Sequence, residues 1–253
     1  MTAGGDEFEF LCRMGDNALV LGQRLSEWCG SAPALEEDIA LANTALDLLG
    51  QAKMWLDLAA EVEDAGRTSD DLAMKRDVMD FRNLLLVERP NGDFGHTMTR
   101  QFLFDSWHVE MLKELADSKD ARIAEISAKS AKEARYHVER SAETVIGLGD
   151  GTPESHSRMQ TALNELWSYV GEMFHDDEVD MSMARSKLAP LPSNLRSGFD
   201  RRFRKVVEAA TLIPPTGAYA HLGGKNGIRH TEHLGHILTQ MQWLQRAYPE
   251  SEW

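Results

Sequence analysis

His137 is the only imidazole between Ala121 and Leu148, and Glu133 stands four residues before it. An acid and an imidazole at that spacing share one face of a helix, the simplest arrangement that can begin a metal site. Asp105 and His108, on the preceding helical stretch, are the residues that could complete a mononuclear centre. A two-metal centre asks for more: one Glu from each of two helices and a Glu-x-x-His pair from each of two others. Four carboxylates and two imidazoles then balance much of the charge of two cations in a low-dielectric interior. The long helical stretches of this chain contain no Glu-x-x-His pair. Ala134 stands three residues before His137, and Glu110, Glu114 and Glu133 have no imidazole three residues later.

Counting one helix up and the next down gives the residues expected at inward metal-site positions. Asp105 falls at the depth of Ala134, Asp47 is the acid on the second helix with Gly50 three residues on, and Asn17 lies on the first. The set is Asn17, Asp47, Gly50, Asp105, Ala134 and His137, in which only Asp47, Asp105 and His137 keep ligand chemistry. The expectation is a degenerate di-iron site with no metal and no catalytic residue. His137 stays open to two readings, a half-buried histidine hydrogen-bonded to a carboxylate such as Asp105, or a ligand of a mononuclear site.

The elements that must position these residues are helical. Ala18, Leu21, Leu25 and Trp28 recur at helical spacing on a first helix that Gly30 ends. A second helix is expected from about 35 to 62, with Leu35, Ile39, Ala42, Leu46, Leu49, Met54 and Leu58 contributing to its apolar surface. The polar stretch from Gly66 to Asp71 closes it, and a long connection follows with a short helix through Met74, Val78, Phe81 and Leu85. Pro90-Asn91-Gly92 signals a turn. Third and fourth long helices are expected over 94–116 and 121–148, around a corner at Ser118-Lys119-Asp120, and further helical segments near 153–174, 176–187, 193–212 and 231–247. No segment alternates as a strand does. Four long helices with one long crossover between the second and third give an all-α, ferritin-like four-helix bundle. It is read as a single domain, with the core bundle over about 8–148 and helical additions over about 152–253.

Composition narrows the function classes. The 253 residues hold 27 Lys+Arg against 41 Asp+Glu, a net charge of -14, which argues against nucleic acid or an anionic membrane as partner. The start, from Met1 to Glu7, lacks a basic region followed by an apolar stretch, and no run is long enough to span a membrane. Two cysteines, Cys12 and Cys29, are too few for a disulfide framework; buried, reduced thiols in a cytoplasmic protein are expected. Two basic features stand out on this acidic background. The loop Gly223-Gly224-Lys225-Asn226-Gly227 with Arg229 and His230 could hold an anion before a helix N-terminus or pack at an interface, with Thr231 as N-cap. Arg196, Arg201, Arg202, Arg204 and Lys205 form either a solvated helix face or a docking surface for an acidic partner or anionic ligand.

Several blocks carry a family resemblance. The run from Gly15 to Gly30, GDNALVLGQRLSEWCG, is followed by Leu41-Ala42-Asn43 and by Leu46 to Ala52, LDLLGQA. Asn83 to Gly92, NLLLVERPNG, comes next, then Ile126 to Lys129, Lys132 to His137, KEARYH, and His230 to Gly235, HTEHLG. In this order and spacing they resemble the C subunits of bacterial phenylacetyl-CoA epoxidases over nearly the whole chain. The resemblance implies a ferritin-like fold and a place in a multicomponent monooxygenase that epoxidises the aromatic ring of phenylacetyl-CoA. It implies further that the di-iron centre belongs to a homologous catalytic component, to which a protein of this kind binds as a structural partner, and that a reductase component passes electrons from NADPH. It transfers no catalytic residue to this chain. The basic stretches would then be candidates for contact with the CoA part of the substrate. Two rival readings are a self-sufficient metalloenzyme built around Asp105, Glu133 and His137, and a helical adaptor without an enzyme partner.

Overall fold

The computed structural model describes residues 3–217 and 220–249. Met1 and Thr2, part of the start considered above for a targeting segment, lie outside them. Among the described residues ten α-helices run in the order α1 (Ala3–Ser26), α2 (Leu35–Glu63), α3 (Ser69–Met74), α4 (Leu85–Glu88), α5 (Phe94–Leu115), α6 (Ala121–Gly149), α7 (Pro153–Leu166), α8 (Glu178–Arg185), α9 (Arg196–Ala209) and α10 (Glu232–Ala247). Short 3-10 turns occupy Val78–Asp80, Trp167–Phe174 and Pro192–Leu195. Every regular element among the described residues is helical, and the all-α, ferritin-like expectation holds in elements and connectivity. None of these helices is long and apolar enough to cross a membrane.

The helices gather into two compact units, residues 1–90 with 223–253 and residues 91–222. The first is built on the α1–α2 hairpin. Its two helices approach closely because Gly15 and Gly22 lie seven residues apart on one face of α1. A Cβ on Gly15 would come 2.7 Å from the Leu56 side chain, and one on Gly22 would come 3.2 Å from Leu49. The pairing of 15 with 56 and 22 with 49 makes the hairpin antiparallel. Between the helices Gly30 turns at φ 80°, and Asp38 accepts a 2.8 Å hydrogen bond from its backbone N–H. Ala18, Leu21 and Leu25 are buried as their spacing predicts, while Trp28 and Cys29 lie past the end of α1. Cys12 is buried, but Cys29 is exposed, because the helix stops before it and the turn carries its thiol outward.

The buried face of α2 differs from the expected one. It consists of Leu41, Thr44, Ala45, Leu48, Gln51, Ala52, Trp55, Leu56, Leu58 and Ala59. Of the seven apolar residues singled out by sequence, only Leu58 is buried, and Leu35, Ile39 and Leu46 are open to solvent. The helix carries apolar residues on two faces, so its periodicity alone does not say which one packs inward.

The connection after α2 is not one short helix. Asp64 takes a left-handed conformation (φ 52°) and ends α2, and Thr68 and Asp71 form a capping box that starts α3 inside the polar stretch expected to be loop. Buried polar groups then break the chain into pieces. Arg76 reaches Asp16 of α1, the Asn17 Oδ1 accepts the Leu84 N–H at 2.8 Å, and Arg24 donates to the Glu88 carbonyl at 2.7 Å. From the other side α10 contributes Gln242, which donates to the carbonyls of Ala73 and Arg76 at 3.0 and 3.1 Å.

The second unit is built on the α5–α6 hairpin. Asp93 caps α5 by accepting from the His96 N–H, and Asp120 caps α6 by accepting from the Arg122 N–H, each at 2.8 Å. Along α9, Phe199 and Phe203 are buried, with the Trp167 ring tilted against Phe203 at 4.6 Å and Phe174 edge-on at 5.0 Å from Phe199. Gly149 permits α6 to end against Ala210, whose carbonyl would lie 2.6 Å from an added Cβ.

Candidate functional site

Asp105, on α5, is buried and fully engaged. Its Oδ1 accepts from Gln101 Nε2 at 2.7 Å and its Oδ2 from Ser141 Oγ at 2.8 Å. The Ser141 bond also sets the register of the hairpin. It puts Asp105 beside Ser141, two turns and roughly 10 Å beyond Ala134 along α6. The count that placed Asp105 at the depth of Ala134 is thereby corrected, because it allowed no axial stagger between α5 and α6. His137 lies one turn before Ser141 on the same face of α6 and is buried, as is Ala134.

The electrostatics of this cluster are those of a dry polar core. Burial pushes the Asp105 carboxyl up to about 6, against the His137 charge and the two side-chain hydrogen bonds, which pull it down. Burial, with the His137 charge adding to it, holds His108 down to about 3, so this ring is neutral in the fold. A search restricted to Glu-x-x-His passes over Asp105-x-x-His108, the acid–imidazole pair at i, i+3 on α5. A search for either acid at that spacing finds it.

Between about pH 4 and 6 the folded chain keeps a proton on Asp105 that the unfolded chain has released. The Asp105 contribution to stability therefore falls as pH rises through that window, while that of the neutral His108 ring rises. The Asp105→Asn substitution leaves an uncharged side chain at this position at every pH. The variant is expected to exceed the wild type in stability by on the order of 2 kcal/mol at about pH 8, with the difference closing towards pH 4. The His108 contribution is common to both proteins and cancels. Urea unfolding of the pair at several pH values reads this directly.

The other positions expected around a metal fall elsewhere. Asn17 is buried with its Oδ1 committed to the Leu84 N–H. Asp47 is half-buried, and Gly50 is exposed, with nothing within 4 Å of where a Cβ would stand. The inward register assigned to Asp47 and Gly50 is corrected accordingly, since the face of α2 that packs inward is centred on Leu48, Gln51 and Trp55. A di-iron centre does not fit these residues: Ala134 offers a methyl group, Gly50 offers surface, and both Asp105 oxygens already serve protein donors. Among the described residues no group of three or more His, Cys, Asp or Glu side chains could hold a metal ion, those of Glu133, His137, His108 and Asp105 included.

The glycine-rich loop before α10 serves packing. A Cβ on Gly224 would stand 2.5 Å from the Asn83 carbonyl oxygen, and one on Gly227 would stand 2.8 Å from that of Met79. Only glycine lets this backbone lie so close to residues 79–85. Lys225 is buried and Arg229 exposed, while His230 is turned inward and committed. Its Nδ1 lies in hydrogen-bond contact with Glu88 Oε1 at 2.5 Å and its Nε2 donates to the Phe81 carbonyl at 3.1 Å. Thr231 sits at the N-cap position of α10 but does not cap with its side chain. Its N–H and hydroxyl both donate to Glu88 Oε2, at 2.7 and 2.6 Å, and Asn83 Nδ2 donates to Oε1 at 2.9 Å. Glu88, wholly buried, is the hub that fastens the last segment of the chain to the crossover.

The basic residues of α9 divide. Arg202 pairs with Glu110 at 3.0 Å, and Arg196 pairs with Asp200 at 2.8 Å while lying 4.9 Å from the Phe174 ring. Arg201, Arg204 and Lys205 are exposed, with Arg204 3.9 Å from Asp200.

These features describe helices joined by buried polar contacts. Nearly the whole chain, residues 3–253, matches one family, the phenylacetic acid catabolic proteins. A relative from Escherichia coli (strain K12), the C subunit of 1,2-phenylacetyl-CoA epoxidase, is 48% identical over 245 residues, covering 96% of this chain and 98% of that protein. The chain belongs to the phenylacetic acid catabolic protein family.

Proposed function

We propose that this chain is a non-catalytic structural subunit of a 1,2-phenylacetyl-CoA epoxidase in phenylacetate catabolism. Its role is to bind and steady a homologous subunit that carries the di-iron centre. What supports this reading is that the residues counted onto the metal-site positions do not make up a ligand set. Asp105 is held by Gln101 and Ser141, Asn17 by the Leu84 backbone, and Ala134 presents a methyl group. The 48% identity to a protein named as one subunit of such an epoxidase supports the pathway and the assembly. On this reading the chain holds no cofactor, iron resides in the partner, and NADPH is used by a reductase component.

Co-expression with a homologue that retains both Glu-x-x-His pairs tests the proposal. The two chains are expected to co-elute on size exclusion as one species and to show epoxidation once the reductase is added. Failure of the two chains to associate would overturn it.

A further inference from the structure

Helices α2 and α6 are both 29 residues long, and each packs one face against its hairpin partner, yet their outward faces differ in kind. On α6 that face carries Arg122, Glu125, Lys129, Lys132, Arg135 and Glu139, with Tyr136 as its one large apolar residue exposed among those described. On α2 it carries Leu35, Ile39 and Leu46, which are 72%, 53% and 66% exposed. Steps of four and seven residues put these three on one stripe, and half-buried Ala42 and Leu49 fill it. A helix apolar on two faces is built to be covered on both, and a contiguous exposed apolar stripe marks an association surface.

Charge narrows the occupant. Along the stripe α2 carries four acids, Glu36, Glu37, Asp38 and Asp47, and no Lys or Arg before Lys53. Two copies of this helix face to face would set acid against acid, which costs affinity and slows encounter. A helix with an apolar centre and Lys or Arg along its borders complements both features.

We propose that the Leu35–Ile39–Leu46 stripe of α2 is the docking surface for a basic-flanked apolar helix of a different chain, the ligand-complete homologous subunit. This rests on the function proposed above and assigns it a place. The test uses the full chain with Ile39→Asp and Leu46→Asp together. Because both side chains are exposed, the circular dichroism and melting temperature are expected to match the wild type. Affinity for the homologous subunit is expected to fall by about 100-fold or more. Wild-type affinity is expected to weaken with added salt and with the pair Glu36→Lys and Asp47→Lys. A doubly substituted chain that binds like the wild type would overturn the α2 assignment and leave the structural-subunit reading standing. A wild-type homodimer that the substitutions make monomeric, with partner binding unchanged, would assign the stripe to a second copy and overturn it too. Failure of the wild type to bind the homologue overturns both readings.

Discussion

Glu88→Ala is expected to destabilise the protein by about 3–5 kcal/mol, the range for removing one partner of a buried charge pair. Four donors converge on that carboxylate: the His230 ring, the Thr231 N–H and hydroxyl, and the Asn83 amide. The His230 ring cannot turn to water once it is gone, since the side chains of Glu88 and His230 are 0% and 1% exposed. The His230 ring suffers most. Its Nε2 faces the Phe81 carbonyl, which can only accept, so Nδ1 depends on Glu88 for its hydrogen bond. Glu88→Gln leaves a way out, because a neutral ring protonated on Nε2 could accept from the new amide at Nδ1. Its expected cost is nearer 1–2 kcal/mol, a changed hydrogen bond without a stranded charge. Urea unfolding measures both variants. Amide hydrogen exchange adds a local readout: protection in α10 should fall further than protection in α5 and α6, because the lost contacts fasten the segment leading into α10. Equal losses for the alanine and glutamine variants would contradict the charge-pair account.

Asp16→Ala is expected to have an effect of similar size, about 3–5 kcal/mol, for a related reason. The Arg76 guanidinium, 5% exposed, forms a two-pronged pair with the wholly buried Asp16, and the same carboxylate accepts the Arg82 N–H at 2.8 Å. Arg76 also lies 4.4 Å from the Phe81 ring centroid and donates to the Leu72 and Asp80 carbonyls. Those contacts hold it in place, so without Asp16 the cation cannot swing out to solvent cheaply. Combining Asp16→Ala with Arg76→Met removes both charges and is expected to restore part of the loss, a non-additivity that a double-mutant cycle on unfolding free energies would show. Additive losses would mean that the pair does not act as one unit.

The two networks explain which parts of the molecule can be read from sequence. Long helices announce themselves by spacing and by their ends. The segments 94–116 and 121–148 expected from the pattern match α5 and α6 within a residue, because Asp93 and Asp120 cap them and Ser118 marks the corner. The crossover is different, since what shapes it lies far away in the chain. Asp16 and Arg76 are 60 residues apart, and Glu88 and His230 are 142 apart. A short helix through Met74, Val78, Phe81 and Leu85 satisfies the local pattern, but these distant partners impose three short elements. The glycine-rich loop misleads for a related reason. Its glycines look fit for an anion, whereas what approaches them is the backbone of residues 79–85.

At the degenerate site the residue types are legible and the geometry is not. The absence of a Glu-x-x-His pair from α1, α2, α5 and α6, and the alanine at 134, are properties of the sequence. The stagger that sets Asp105 beside Ser141, and the rotation of α2 that turns Gly50 and the Leu35–Ile39–Leu46 stripe outward, depend on packing that no count along one chain supplies. Apolar residues on both faces of α2 are the signal available for the second of these.

The central claim is that this chain supports iron chemistry without performing it, and iron analysis of the isolated chain tests that most directly. Purified full-length protein, incubated anaerobically with ferrous iron and then desalted, is expected to retain no bound iron, while its complex with the ligand-complete homologue retains iron in proportion to the homologue alone. Stoichiometric iron on the isolated chain, lost on His137→Ala, would contradict the account.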